Sequence, residues 1–195
     1  MSSGCFLVMQ VLAVKNMVCT RCILAVQQLL VREGISGAEV ELGRVVLRDP
    51  LTSDSEVRVA RELEKLGFEL LRSKEAKRIE SIKNLLVELV HSGDVPASFS
   101  LSAFLSQGVG EDYATLSHLF SSTEGITIEK YFIQLKIEKV KEWLSYGEFQ
   151  VSEASYMLGY SSVQHLSAQF KKVTGMTPSS YRKLGVKPRK LLDRI

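Results

Sequence analysis

The sequence predicts an α+β chain: a small βαββαβ unit, a connecting helix, and an all-helical unit built twice over. Three observations carry that reading. Strand-sized apolar runs alternate with helical periodicity through the first 71 of 195 residues, an amphipathic stretch follows from Ser73 to Val90, and after Pro96 the sequence repeats itself at a constant offset.

Phe6 to Val14 is short, apolar and rich in strand formers, and Asn16 to Cys19 marks a loop after it. From Cys22 to Arg32, Ile23, Val26, Leu29 and Leu30 recur at helical spacing, and Gly34 closes the segment. Ala38 to Leu42 and Val45 to Leu47 flank Gly43-Arg44 as a hairpin. Ser55 to Leu66 is a second helix, with Val57, Ala60, Leu63 and Leu66 in phase and Gly67 behind it, and Phe68 to Leu71 is the last strand. This order is that of the split βαβ, or ferredoxin-like, motif. The fold alone implies no function.

Ser73 to Val90 presents Ile79, Ile82, Leu86 and Leu89 as one stripe, ended by His91-Ser92-Gly93-Asp94-Val95-Pro96. So short a stripe leaves two readings, a helix docked on its own chain and a dimer seam that would make the protein a homodimer. The expected division is therefore 1–72 as the βαββαβ domain, 73–95 as a linker helix, 96–187 as the helical domain and 188–195 as a basic tail.

In the helical part, Leu116, Phe120, Gly125, Thr127 and Tyr131 recur fifty positions later as Leu166, Phe170, Gly175, Thr177 and Tyr181, and Ser102 recurs as Ser152. Each copy reads as a short helix, a tight turn and a second helix that buries Leu and Phe at i and i+4, which is a helix-turn-helix. Gly108-Val109-Gly110 reads as the turn of the first copy. Between the copies, Ile128 to Tyr146 carries Tyr131, Leu135, Val140 and Leu144 on one side and Lys136, Glu138, Lys139, Lys141 and Glu142 on the others. This long helix would set the distance between the two second helices.

The net charge of +3 is too small by itself to argue for a nucleic-acid partner. Its distribution says more, because residues 154–195 hold eight basic side chains and one acidic one. The second helix of each copy leaves an outward face: Ala114, Ser117, His118 and Ser121 in the first, and Gln164, Ser167, Ala168 and Lys171 in the second, which opens at Ser162. As recognition helices they would read base edges of double-stranded DNA with small and amide side chains, while Lys171, Lys172, Arg182 and Lys183 contact phosphate. The alternative is a pair of ordinary solvated helix faces.

The chain contains no nucleophile motif, Walker loop or dinucleotide fingerprint, so no catalytic residue and no enzyme activity are expected. The apolar run Cys5 to Val14, broken by Gln10, is about half the roughly 20 residues a membrane-spanning helix needs. A cytoplasmic protein without a membrane partner is expected. Two of the three cysteines form Cys19-Thr20-Arg21-Cys22, a spacing of metal or redox chemistry in a reducing compartment. Two thiolates suit soft Cu(I), while Zn(II) would use the same pair with added ligands. A thiol switch, and a relict site with no metal at all, are the other readings. The helix N-terminus and the adjacent Arg21 are both expected to lower thiol pKa, favouring the metal-binding thiolate form. Cys5, at the far end of the first strand, is expected to be no ligand; His91 is read as linker surface, and His118 and His165 as DNA contacts.

From about Ser98 to Leu184 the chain resembles the DNA-binding domain of the AraC/XylS family of bacterial transcription regulators. The resemblance lies in Leu158-Gly159-Tyr160-Ser161-Ser162, Leu166, Phe170-Lys171-Lys172, Gly175-Met176-Thr177-Pro178 and Tyr181-Arg182. It implies two helix-turn-helix units in neighbouring major-groove segments, regulation of transcription, and an N-terminal domain that senses a signal or mediates dimerisation; RNA polymerase is then a further expected partner. His118 and Ala168 stand where the family commonly has arginine, as does Lys136 in the linking helix. With Glu111 and Asp112 opening the first recognition helix, the second unit is expected to dominate affinity.

Residues 6–71, with Met17 before the cysteine pair and Leu66-Gly67-Phe68 after the second helix, resemble the heavy-metal-associated domain of copper chaperones and metal-transporting ATPases. That resemblance implies that Cys19 and Cys22 hold the metal, that Met17 packs beneath the loop, and that Phe68 lies near the site. The family's usual glycine before the methionine is Asn16 here. A copper chaperone or metal-transporting ATPase would dock this domain in the alternative reading, in which DNA binding merely tethers a metal-handling protein.

Overall fold

A computed structural model describes residues 9–96, 98–147, 149–190, 192 and 195, and divides the chain into two compact units, Met1–Asn84 and Leu85–Ile195. Cys5, the start of the first expected strand and part of the expected tail lie outside the described residues.

The first unit runs β1 (Gln10–Lys15), α1 (Thr20–Arg32), β2 (Glu39–Glu41), β3 (Arg44–Leu47), α2 (Ser53–Lys65), β4 (Glu69–Leu71). The sheet order is β2-β3-β1-β4, with every neighbouring pair antiparallel. Strand alternation sends Leu12, Val14, Val45 and Leu47 to one face, where they meet Val26, Leu29 and Leu30 of α1 and Val59 and Leu63 of α2. Each such side chain, fully buried, contributes about 1.5–3 kcal/mol. α1 begins two residues before the expected Cys22, because Cys19 takes extended backbone and serves as its N-cap. The opposite sheet face is less covered, with Val11 about half exposed.

The next helix, α3 (Lys74–Ser92), is shared: the two units divide between Asn84 and Leu85, inside it. The expected linker over 73–95 is thus not a segment apart. Ile79 and Ile82 are buried as the stripe requires, but Leu89 is half-buried and Val87 and Val90 join Leu86 instead. Positions 86, 87 and 90 share one side of a helix, so the apolar stripe turns as it enters the second unit.

The second unit contains α4 (Leu101–Val109), α5 (Tyr113–Glu124), α6 (Ile128–Tyr146), α7 (Val151–Met157), α8 (Val163–Thr174) and α9 (Pro178–Arg182). Gly108 and Val109 belong to α4, so Gly110 is the only member of the expected Gly-Val-Gly turn outside it. α6 is buried along several faces rather than one. Tyr131, Leu135, Val140 and Leu144 are inside as expected, and so are Glu138 and Lys141, which the sequence placed on other sides. Lys141 Nζ donates to Glu138 Oε1 at 2.6 Å, and the backbone N–H of Lys190 donates to Glu138 Oε2 at 3.0 Å. Pairing of this kind is what makes a buried carboxylate tolerable.

The basic tail is corrected by the same contacts. Arg189 Nη2 lies 2.8 Å from Glu142 Oε2, and Tyr181 Oη donates to the carbonyl of Pro188 at 3.0 Å. Residues 188–190 are fastened to α6 and α9 because α6 offers the Glu138 and Glu142 carboxylates and α9 the Tyr181 hydroxyl.

Candidate nucleic-acid interface and cysteine pair

The repeat seen in sequence is a repeat in space. α5 and α8 are each 12 residues long and begin at Tyr113 and Val163, fifty positions apart. Asp112 caps α5 by accepting from the Thr115 amide at 3.0 Å, and Ser162 caps α8 by accepting from the His165 amide at 3.1 Å. Each helix ends on a glycine in the left-handed region, Gly125 at φ 70° and Gly175 at φ 81°, a conformation that a side chain would strain. The following helices start on Thr127 and Thr177, each hydroxyl accepting at 3.2 Å from the amide three residues on. Inside, Leu116, Phe120, Leu166 and Phe170 are fully buried. Phe120 meets Tyr131 with ring centroids 5.5 Å apart, and Phe170 meets Tyr181 at 5.6 Å.

With Leu and Phe aimed inward, the outward faces follow from helical phase. Ala114, His118, Gln164, Ala168, Lys171 and Lys172 are exposed, and Ser117, Ser121 and Ser167 are half-buried beside them. Ser121 donates to the carbonyl of Ser117 at 2.8 Å, and Ser162 is committed to its cap. His165 is exposed, with Nδ1 3.0 Å from Ser161 Oγ and its ring edge-on to Tyr160. Arg182 does not join the outward lysines. Its guanidinium donates to the Phe149 carbonyl at 3.1 Å and to Gln150 Oε1 at 3.4 Å, tying α9 to the N-cap of α7. Lys183 remains exposed.

The turns differ. Between α7 and α8, Tyr160 Oη donates to Gln169 Oε1 at 2.6 Å. From α6, Lys136 Nζ sits 4.1 Å from the Tyr160 ring centroid and 4.8 Å from that of Phe132, and donates to the Leu158 carbonyl at 3.4 Å. Burial lowers the Lys136 ammonium to a pKa of about 8 and pushes the Tyr160 phenol up. The sequence reading named Lys136 only as a replacement for arginine and missed Gln169; the aromatic pair Phe132 and Tyr160 was the available signal for a stacked cation. The first copy differs at its acidic start: hydrogen bonds from the Thr115 hydroxyl and amide hold the Asp112 carboxyl below its usual range, and Tyr113 Oη donates to the Glu129 carboxylate.

In the first unit, Cys19 and Cys22 bring their sulfurs to 3.5 Å across the start of α1. Burial raises the Cys19 pKa, but hydrogen bonds from Cys22 and Arg21 outweigh it and leave the thiol lowered. Burial and the adjacent Cys19 raise Cys22 instead, so the expected lowering holds for Cys19 and not for Cys22. Met17 is fully buried and Phe68 nearly so, in the cluster against which Cys22 packs. Asn16 takes the left-handed conformation, φ 70°, that a glycine would favour; its Nδ2 donates to the Gly67 carbonyl at 3.0 Å. Two sulfurs 3.5 Å apart can share one ion at bond lengths near 2.3 Å. Among the described residues no Cys, His, Asp or Glu group of three or more is placed to hold a metal.

Two helix-turn-helix units braced by one long helix, with six exposed outward positions and a basic second copy, define a DNA-binding domain. Residues 105–184 match the family described as "Helix-turn-helix domain". Over 103 residues, 53% of this chain, the sequence is 32% identical to the HTH-type transcriptional activator RhaR of Salmonella heidelberg (strain SL476), of which the match covers 36%. The chain spans about a third of the length of the curated relatives it matches. Among solved structures, the C-terminal domain of AraT, a response regulator from Geobacillus stearothermophilus, is similar at 20% identity and a TM-score of 0.48, over 57% of this chain and 88% of that one. The C-terminal domain of the two-component response regulator yesN from Fusobacterium nucleatum is 29% identical, with a TM-score of 0.45, over 52% of this chain and 97% of that one. Residues 105–184 of the chain thus carry a helix-turn-helix domain. No described helix is long and apolar enough to cross a membrane.

Proposed function

We propose that the protein is a sequence-specific DNA-binding transcription regulator whose DNA affinity responds to a soft metal ion such as Cu(I) held by Cys19 and Cys22. The observation that carries the DNA reading is the pair α5 and α8: two helices of equal length, capped and packed alike, each presenting an outward face of exposed and half-buried side chains. Ala114, Ser117, His118 and Ser121 face one stretch of groove; Gln164, Ser167 and Lys171 face the next, with Lys172 on phosphate. RNA polymerase is the further partner of such a regulator.

For the first unit, we infer a ferredoxin-like domain of the heavy-metal-associated kind. Support comes from the strand order β2-β3-β1-β4 and from the cysteine pair at the β1–α1 junction over buried Met17. A bound ion supplies a tie between the two sulfurs. Cys19, whose thiol is lowered, offers the first thiolate.

The test is a fluorescence-anisotropy titration of the full chain, under reductant, onto DNA from upstream of its own gene, with and without one equivalent of Cu(I). A tenfold or greater change in affinity, about 1.4 kcal/mol, is expected. It should vanish in the Cys19→Ser, Cys22→Ser variant. By linkage the same DNA must alter Cu(I) affinity by the same factor. Specific DNA binding unmoved by Cu(I) would keep the DNA reading and overturn the metal response.

A further inference from the structure

The cysteine loop belongs to one end of the first sheet, and α3 packs there. Three backbone segments converge at that end: Asn16 after β1, Gly43 between β2 and β3, and Gly67 before β4. The Val14 amide donates to the Gly43 carbonyl at 2.9 Å, and Asn16 Nδ2 reaches the Gly67 carbonyl. Against them α3 places two buried polar side chains one helical turn apart, Glu80 at 5% exposure and Asn84 at 9%. Glu80 Oε1 accepts from the backbone N–H of Asn16 at 3.0 Å. The Asn84 amide packs so tightly on Gly43 that a Cβ there would lie 1.8 Å from its Nδ2.

Asn16 is the one non-glycine residue at positive φ among those described, and it stands three positions before Cys19. Asparagine is among the few side chains that adopt this conformation readily, and the bonds of its backbone N–H to Glu80 and of its Nδ2 to the Gly67 carbonyl hold it there. The Asn16 amide cannot turn without the Glu80 carboxylate giving up this hydrogen bond, and losing a bond to a buried carboxylate is costly. The helix carrying Glu80 is also the segment that the two units share.

We propose that Glu80 is the positioning residue through which the state of the Cys19–Cys22 loop is passed to α3. This rests on the reading of the cysteine pair as a soft-metal site. Drawing the two sulfurs onto one ion restricts the loop from Asn16 to Cys22, the Asn16 amide changes its hold on the Glu80 carboxylate, and the hydrogen-bond protection of α3 changes with it.

Hydrogen-exchange mass spectrometry on the full chain tests this, with peptides covering Asn16 and residues 74–92, before and after one equivalent of Cu(I) under reductant. Cu(I) affinity is followed in parallel by competition with the chromophoric chelator bicinchoninate. In the natural sequence, exchange in α3 should change about fivefold or more on Cu(I) binding, and in step with Asn16. Glu80→Met removes the acceptor and should abolish the α3 response while Cu(I) affinity stays within about threefold. Glu80→Gln keeps a neutral acceptor and should restore the response. An α3 response that persists in Glu80→Met with Cu(I) bound overturns the proposal. So does Cu(I) binding in the natural sequence that leaves α3 exchange unmoved or uncoupled from Asn16, a result that needs no variant to fold. Failure of the natural sequence to bind Cu(I) overturns the metal-site reading itself, and this proposal with it.

Discussion

The two helix-turn-helix units are alike where they fold and unlike where they face out. Leu116 and Leu166, Phe120 and Phe170, Gly125 and Gly175, and Thr127 and Thr177 do the same local work fifty positions apart. Their outward faces differ in charge: α5 has no basic residue in its last turn and follows an acidic pair, whereas α8 has Lys171 and Lys172 there. Packing constrains the shared positions tightly, while a solvated face can change its chemistry at little cost in stability. A duplicated fold can thus present two different faces, with basic charge concentrated in the second copy.

Breaking the shared core gives the largest expected effect. Phe120→Ala and Phe170→Ala should each cost about 3–5 kcal/mol, and nearly the same amount, because both rings are fully buried against a tyrosine. Urea unfolding followed by Trp143, the single tryptophan, reads this in the second unit. Costs that differed by half would show the two cores to be unequal.

The outward faces should separate the copies. Gln164→Ala is expected to lose about 1–3 kcal/mol of discrimination at one base pair, measured across a set of single-base operator variants. Lys171→Ala and Lys172→Ala should instead weaken binding to every sequence and each flatten the salt slope by about one. His118→Ala should change that slope less than either lysine. If it changes the slope as much, the first copy carries its own share of phosphate binding and the contrast fails.

The caps sharpen the likeness. Thr127→Ala and Thr177→Ala should each cost about 1 kcal/mol in the same unfolding measurement, since both hydroxyls make the same bond.

A pH dependence marks the clamp that Lys136 makes on the second turn. The folded pKa of Lys136, about 8, lies below the ordinary lysine value of 10.5, so the unfolded chain binds the proton more tightly. Stability from this group is therefore fully present above pH 10.5 and is lost as pH falls through 8. Lys136→Met should flatten the rise in stability between pH 7 and 10, read from urea midpoints of the two proteins across that range.

How much was legible in the sequence depended on how local each cause was. The recurrence of Leu, Phe, Gly, Thr and Tyr announced two helix-turn-helix units because i,i+4 packing, a left-handed glycine and an N-cap hydroxyl each act within one helix or turn. The cysteine pair was legible for the same reason, three residues apart at a helix start. The roles of Arg182, Glu138, Lys136 and Arg189 were not. Arg182 was expected on phosphate yet binds Phe149, 33 positions away; Glu138 was expected off the apolar side of its helix yet is buried and receives the Lys190 amide from 52 away; Arg189 was expected in a basic tail and meets Glu142 from 47 away.

The sequence by itself determined the order and approximate extent of the helices and strands, most of the apolar residues that turn inward, and which two helices present an outward face. All of these follow from the periodicity and backbone preferences of neighbouring residues. Only the tertiary structure decided which charges remain free for a ligand. Lysine, arginine and glutamate have the same composition whether solvated or paired, and their partners are set by where distant segments of the chain meet.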